Sequence, residues 1–298
     1  MSDPLYITQI ALATATGKKQ TLTSQLAEQA GMKMGDRKIL AKYQWHTQVF
    51  SEEASRWFPE PCIWDHTIKL KSRALSSILR KVYQLSQDEQ KALLKFVQDQ
   101  QAKGYIHPLK SPYMAPFFIK KKDSKLCPVQ DYRWLNKWTI CNHYPIPLIS
   151  KLITKVQGAK LFTTVDLQQG YNNVHIKKGD EWKAVFITNY GLFEPTMMFF
   201  RLTNSPATFQ TMINMIFIEE IAEGWLIVYM DNILIATKDN LQFHEKCIHR
   251  MLEKLKKHDL SLKPEKCSFK QWRIEFLGVI LENDMVQMDP VKVKGVVD

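Results

Sequence analysis

The sequence predicts an α+β fold, an antiparallel sheet backed by helices, on three observations. The run from Trp225 to Ala236 is apolar and rich in β-formers on both sides of one polar pair, Asp231-Asn232, and reads as a hairpin with that pair at its bend. A second β-rich run, Leu161 to Val165, ends on another acid, Asp166. Helical patterns flank both runs. The order strand, helix, hairpin, helix, strand implies antiparallel pairing rather than a doubly wound parallel sheet.

Taken in order, residues 1–56 carry little pattern. Ala11 to Gln29 is rich in Ala, Thr and Gln and has neither a core face nor a motif, so this stretch reads as a leader or linker remnant. Aromatic and apolar residues thicken from Trp57-Phe58-Pro59, and the folded domain is expected over 57–298. Ser86-Gln87-Asp88-Glu89 is a capping box, opening a helix through Leu93, Leu94, Phe96 and Val97 that Gly104 ends in a left-handed stop. Ala115 to Ile119 is a strand running into the basic turn Lys120 to Lys125, with a return strand near Leu126 to Val129. Pro147 opens a helix through Leu148, Leu152, Ile153 and Val156, with Gly158 past its end. Ala184 to Phe200 reads as two strands about a turn at Asn189-Tyr190-Gly191. Ser205 caps the next helix with Pro206 at its first position, and Phe209, Met212, Ile213 and Ile216 share one face. Gln242 to His258 is amphipathic, with Ile248, Met251, Leu252 and Leu255 inward, and Phe276 to Ile280 is a late strand.

The chain has 298 residues, 45% of them apolar, enough for one large domain or two to three subdomains with a real core. Its net charge of +11 favours a polyanionic partner, nucleic acid before an anionic membrane. No apolar run reaches the length of a membrane span and no secretory pattern opens the chain, so no membrane partner is expected. Five scattered cysteines without a C-x-x-C pair fit free thiols in a reducing setting. The expected place is inside the cell, cytoplasmic, with a particle-associated or nuclear position left open, and not secreted. His244, Cys247, His249, His258 and Cys267 lack zinc-finger spacing and read as dispersed helix-face residues.

Asp166 and Asp231 both follow β-rich runs, and two acids on adjacent strands can share divalent ions. Spacing alone leaves a second reading open: a strand-end Asp and an Asp-Asn pair are also ordinary turn formers.

Tyr229-Met230-Asp231-Asn232 resembles the Tyr-x-Asp-Asp box of reverse transcriptases. Other stretches resemble, in the same order, those of gypsy-like LTR retrotransposon polymerases: Trp64-Asp65-His66, Ser111-Pro112, Lys120 to Asp123, Pro128 to Asn136, Phe162 to Tyr171, Leu202 to Gln210, Leu262 to Cys267 and Phe276-Leu277-Gly278. The resemblance covers about residue 57 to the end. It implies a right-hand polymerase fold: fingers at about 104–140 and 174–204, palm at about 141–173 and 205–283, and only the start of a thumb at about 284–298.

By position, the resemblance implies that Asp166, Asp231 and the Leu167 carbonyl hold two Mg²⁺ ions, with Mn²⁺ as a substitute. Asn232 completes the catalytic box, and Lys266 matches the lysine that protonates departing pyrophosphate. Tyr171 matches the aromatic gate against a ribose 2′-hydroxyl, with an ordinary buried aromatic as the other reading. Lys121 and Lys122 would meet the incoming triphosphate. Arg133 and Asn136 lie in the box that shapes the template side, and Ser205 and Gln210 in the helix bordering the nascent base pair. Phe276, Leu277 and Gly278 match the primer grip. The implied partners are an RNA or DNA template with its primer and deoxynucleoside triphosphates, with the oligomeric state left open.

Three positions depart from that pattern. Asn232 stands where the family has a second acid, Cys127 where an arginine precedes Pro128, and Arg201 where a glycine precedes Leu202. An amide still ligates a hard cation but gives up one charge. A charge-assisted bond of roughly 1.5–3 kcal/mol goes with the arginine. A side chain in place of glycine either strains the backbone or crowds the nucleotide. The expectation is a preserved fold with weakened or absent RNA-directed DNA polymerase activity. A dead nucleic-acid-binding relic or a repurposed scaffold are the alternatives. Within these 298 residues no protease box, ribonuclease H or integrase segment is read, and only the start of a thumb is expected, which would imply low processivity.

Overall fold

The computed structural model describes residues 43, 46–51, 62–74, 82–109, 111–122, 125–282 and 285–288. Residues 1–42, Trp57-Phe58-Pro59 and most of the expected thumb start lie outside the described residues.

A single turn, α1 (Thr47–Phe50), buries Val49 and Phe50 in the main core. Helix α2 (Gln87–Ala102) starts at the expected capping box: the Ser86 N–H and hydroxyl both donate to Glu89 Oε2 at 2.9 Å. It ends at Gly104, φ +72°, where the Tyr105 and Gly104 amides return to the Gln100 and Gln101 carbonyls. Strand β1 (Ile106–Pro108) follows, then the basic hairpin β2 (Ala115–Lys122) and β3 (Lys125–Gln130), in register from Phe117↔Gln130 to Lys122↔Lys125. Helix α3 (Arg133–Trp138) leads to α4 (Ile149–Lys155). That helix begins two residues after Pro147, because extended Leu148 is its cap and accepts the Lys151 and Leu152 amides. Strand β4 (Leu161–Asp166) carries the first acid at its end.

Strands β5 (Phe186–Thr188) and β6 (Gly191–Pro195) form the next hairpin. Helix α5 (Ser205–Ile216) is capped by Asn204, one residue earlier than expected, because the Ser205 hydroxyl donates to the Phe199 carbonyl instead. After α6 (Ile218–Ala222) come β7 (Leu226–Tyr229) and β8 (Asn232–Thr237). Helix α7 (Leu241–Lys257) is capped by the Asn240 side chain, which accepts from the Phe243 amide at 2.9 Å. Four short strands close the described chain: β9 (Ser268–Gln271), β10 (Arg273–Phe276), β11 (Val279–Glu282) and β12 (Met285–Met288). The late strand expected at Phe276 to Ile280 is therefore a hairpin. Leu277 and Gly278, φ +51° and +82°, turn the chain between β10 and β11.

Among the described residues three sheets result. One runs β1-β6-β5-β2-β3 and contains a single parallel pair, β2 with β5, so it departs from purely antiparallel order. The second, β7-β8-β4-β9, is antiparallel throughout. The third is β10-β11-β12. Side-chain alternation gives the second sheet two buried faces. Val165, Ile233, Ile235 and Val228 pack on α5 and α7 through Phe209, Met212, Ile248 and Leu252. Phe162, Leu234, Ala236 and Ile227 pack on α4 and the β10–β11 hairpin through Leu152, Val156, Ile274 and Leu281. At roughly 1.5–3 kcal/mol per fully buried large apolar side chain, these two layers fix the sheet rigidly. His244 pins the first face, its ring nitrogens 2.8 Å from the hydroxyls of Thr163 and Thr237 on neighbouring strands. Among the described residues no helix is long and apolar enough to cross a membrane.

Candidate active site

The antiparallel register brings the two acids together. Asp166, last in β4, pairs with Asn232, first in β8, and both share the sheet face that carries Phe162 and Leu234. Tyr229 pairs with Asn232, so the two-residue bend is Met230-Asp231, not Asp231-Asn232. Met230 takes φ +56°, a region costly for a residue with a Cβ. Gln210 holds it there from α5. Its Oε1 accepts the Met230 amide at 2.8 Å, and its Nε2 donates to Asn214 at 2.9 Å and to the Val228 carbonyl at 3.4 Å. Across the bend, the Leu167 amide donates to the Asp231 carbonyl at 2.8 Å.

The carboxylates meet amide and ammonium groups. Asn232 Nδ2 lies 3.3 Å from Asp231 Oδ1, so the amide donates to its neighbour's carboxylate. Lys263 Nζ is 2.5 Å from Asp166 Oδ1 and 3.0 Å from the Leu167 carbonyl, while Lys266 Nζ is 3.1 Å from Asp166 Oδ2. Lys263 caps a 3₁₀ turn, Pro264–Lys266, that ends on Lys266, and its own amide donates to the Asp166 carbonyl. Among the described residues no three acids, histidines or cysteines gather as a metal set. The donors at this place are two carboxylates, one amide and one carbonyl. They still suit a hard cation, since Asp166 Oδ1 and the Leu167 carbonyl already converge on one positive charge.

Tyr171 stands beside this centre on a 3₁₀ turn, Gly170–Asn173. Its ring packs edge-on against Phe200 and Phe209, with centroids 5.0 and 5.5 Å away. Burial and the nearby Asp231 charge raise its phenol above the usual range. Gly170 is required here, because a Cβ would come within 2.8 Å of Phe209 Cζ. The turn enters through Gln169 at φ +49°. A cavity of about 600 Å³ opens next to Tyr171, lined by Gln100, Gln130, Phe199, Phe200 and Arg201. Arg201 has φ +74°, a left-handed conformation costly for a residue with a Cβ. Asn136 staples that segment by donating to the Arg201 carbonyl at 2.7 Å and accepting from the Thr203 amide at 2.9 Å.

The other expected site residues distribute as follows. Ser205 and Gln210 lie on α5 with buried side chains: the Ser205 hydroxyl donates to the Phe199 carbonyl and Ser205 lines the cavity beside Tyr171, while the Gln210 amide is bonded to the hairpin. Arg133 is exposed and locked to Asp131 by two bonds of 2.7 and 2.8 Å, which raise its basicity further. Lys121 is exposed on β2, and Lys122 ends that strand. Phe276, Leu277 and Gly278 form the β10–β11 bend, with the Phe276 ring in the layer beneath the acids. Sequence reasoning passed over Lys263. Its signal was the i, i+3 pair of lysines about Pro264-Glu265, which a 3₁₀ turn brings to one side.

Known proteins match this chain in sequence and fold. The family model described as reverse transcriptase (RNA-dependent DNA polymerase) matches residues 119–281. The Transposon Tf2-7 and Tf2-3 polyproteins of Schizosaccharomyces pombe are each 39% identical over 176 residues, 59% of this chain. The match spans 13% of the length of those relatives. A foamy viral protease-reverse transcriptase in complex with an RNA/DNA hybrid superposes with a TM-score of 0.75 at 18% identity, over 86% of this chain and 34% of that one. The same kind of protein in complex with double-stranded DNA gives 0.74 at 18% identity, over 86% and 52%. These likenesses show a shared α+β palm-and-fingers architecture. With the matched model covering more than half of its residues, the chain belongs to the reverse transcriptase family.

Proposed function

We propose that this chain acts in RNA-directed DNA synthesis, adding deoxynucleotides to a primer 3′ end by two-metal phosphoryl transfer, with a catalytic centre weakened by Asn232. The β4–β8 register carries the reading, because it sets Asp166 beside the Met230-Asp231 bend on a rigid, doubly buried sheet. Asp166, Asp231 and the Leu167 carbonyl would hold two Mg²⁺ ions, or Mn²⁺ in their place. When bound, those ions supply Lewis acidity at the attacking hydroxyl and charge neutralisation at the departing pyrophosphate. Lys266, whose ammonium sits 3.1 Å from Asp166, is placed to give that pyrophosphate a proton. Tyr171, wedged between Phe200 and Phe209, crowds a ribose 2′-hydroxyl. In this reading the β1-β6-β5-β2-β3 sheet is the fingers, where Lys121, Lys122 and Arg133 meet triphosphate and template. The β7-β8-β4-β9 sheet is the palm, and the β10–β11 hairpin grips the primer. The solved relatives bound to an RNA/DNA hybrid and to double-stranded DNA support a template–primer as the partner.

A second reading, a nucleic-acid-binding relic, draws on the two lysines that already balance the charge of Asp166. Primer extension on a homopolymer template, with Mg²⁺ and then Mn²⁺, tests the first reading. Slow synthesis that Mn²⁺ improves and Asp166→Asn abolishes supports it. No synthesis with salt-sensitive binding of a labelled hybrid supports the relic. Fast synthesis with Mg²⁺ alone overturns the weakened centre.

A further inference from the structure

We propose that Lys263 is a built-in cation of the metal site: its ammonium occupies the Asp166–Leu167 subsite, and a divalent ion enters only by displacing it. The inference rests on the assignment of Asp166 and Leu167 as metal-holding groups and adds a residue that sets how readily, and for which ion, they do so.

The geometry is specific to Lys263. Its Nζ bridges one carboxylate oxygen of Asp166 and the Leu167 carbonyl, the two oxygens of different residues that a shared cation would need. Lys266 touches only the other carboxylate oxygen and is more exposed, 55% against 26%. The backbone of Lys263 is also held beside the acid. Its amide donates to the Asp166 carbonyl at 2.9 Å, Leu262 bridges to Leu167, and the Gln168 amide donates to the Ser261 carbonyl at 2.7 Å. The lysine is therefore tied to the backbone of the acid it neutralises. Asn232 gives the arrangement its consequence. Asp166 and Asp231 bring two negative charges, Lys263 and Lys266 bring two positive ones, and the amide brings none. An incoming ion meets a locally balanced centre rather than an acidic one. Swinging Lys263 away restores a carboxylate oxygen and a carbonyl together. Because first-row ions bind oxygen and nitrogen sites more tightly than Mg²⁺ does, Mn²⁺ displaces the ammonium at lower concentration.

The test is Mn²⁺ binding to the full chain, read from the loss of the free-ion electron paramagnetic resonance signal, with Mg²⁺ as competitor. Lys263→Met is expected to tighten Mn²⁺ binding about tenfold or more, the size of one lost charge-assisted contact. Lys263→Arg keeps the cation and is expected to stay within about threefold of the parent, and Lys266→Met to gain less than Lys263→Met. Lys263→Gln repeats the measurement should the methionine variant fold poorly, as judged by circular dichroism. Equal affinity in the parent and both neutral variants overturns the proposal, as does a larger gain at Lys266 or the absence of Mn²⁺ binding in all of them. Asp166→Asn on the Lys263→Met background separates the two layers of the argument. Loss of binding there with no gain from Lys263→Met rejects the lysine's role alone. Retention of tight binding there rejects Asp166 as the ligand, and with it the proposed function.

Discussion

Replacing Gln210 with methionine isolates what holds the Met230-Asp231 bend in shape. The two side chains have similar volume, so the fully buried position stays filled. What disappears is the acceptor 2.8 Å from the Met230 amide and the donor reaching Val228. Met230 is half-buried, so losing the partner of its N–H costs up to the roughly 1–3 kcal/mol of a fully buried donor. The left-handed conformation of Met230, about 1–2 kcal/mol for a residue with a Cβ, then loses the side chain that holds it, leaving the Tyr229–Asn232 pair and the Leu167–Asp231 bond to keep the bend. We expect Gln210→Met to lose about 2 kcal/mol in urea unfolding with an unchanged slope. Asn214→Ala removes only a bond on the far side of the same amide, together with its contact to Tyr144, and should lose under about 1 kcal/mol. Because the bend carries Asp231, Gln210→Met should also weaken Mn²⁺ binding while Asn214→Ala leaves it unchanged. If Gln210→Met stays within about 0.5 kcal/mol of the parent and binds Mn²⁺ equally well, the amide does not hold the bend.

Two further outcomes follow from buried groups and strained backbone. Burial lowers the imidazoles of His66, bonded to Thr208, and His244, bonded to Thr163 and Thr237, to about 4. Above pH 6.5 both states keep these rings neutral. Between 6.5 and 4 the unfolded chain binds protons that the folded one refuses, so stability falls as pH falls. Linkage from those values gives about 2 kcal/mol per histidine at pH 5 relative to pH 7.5. Urea midpoints across that range should show the loss, and a His66→Gln, His244→Gln double variant should lose most of the slope. Arg201→Gly relieves a left-handed residue at the cost of a cation–π contact with Phe118 at 5.8 Å. It should stabilise the chain by about 0.5–1 kcal/mol in the same assay.

Much of this was legible before the coordinates because it is local. The capping box at Ser86, the basic hairpin at Lys120 to Lys125 and the acid ending β4 each depend on a few adjacent residues, and each stands where expected. The errors share another cause. The bend moved to Met230-Asp231 because Gln210, twenty residues earlier, accepts the Met230 amide and makes a left-handed methionine tolerable. Local turn preference favours Asp-Asn and cannot register that distant acceptor. The helix cap moved from Ser205 to Asn204 for a similar reason, since the Ser205 hydroxyl found the Phe199 carbonyl. Lys263 could be named within a motif but not given a task, because its task depends on which strand runs beside it. The hairpin expected around Asn232 is present, with Asn232 paired to Tyr229 and its amide bonded to Asp231.

The charge that the proposed function takes to be missing at Asn232 is measured directly by primer extension with the parent chain beside Asn232→Asp. With Mg²⁺ on one template–primer, the restored acid should raise the rate of nucleotide addition at least about tenfold, the worth of roughly one charge-assisted ligand. Asp166→Asn in the Asn232→Asp background should remove it. Equal rates for the parent and Asn232→Asp, or synthesis that survives Asp166→Asn, would contradict the account.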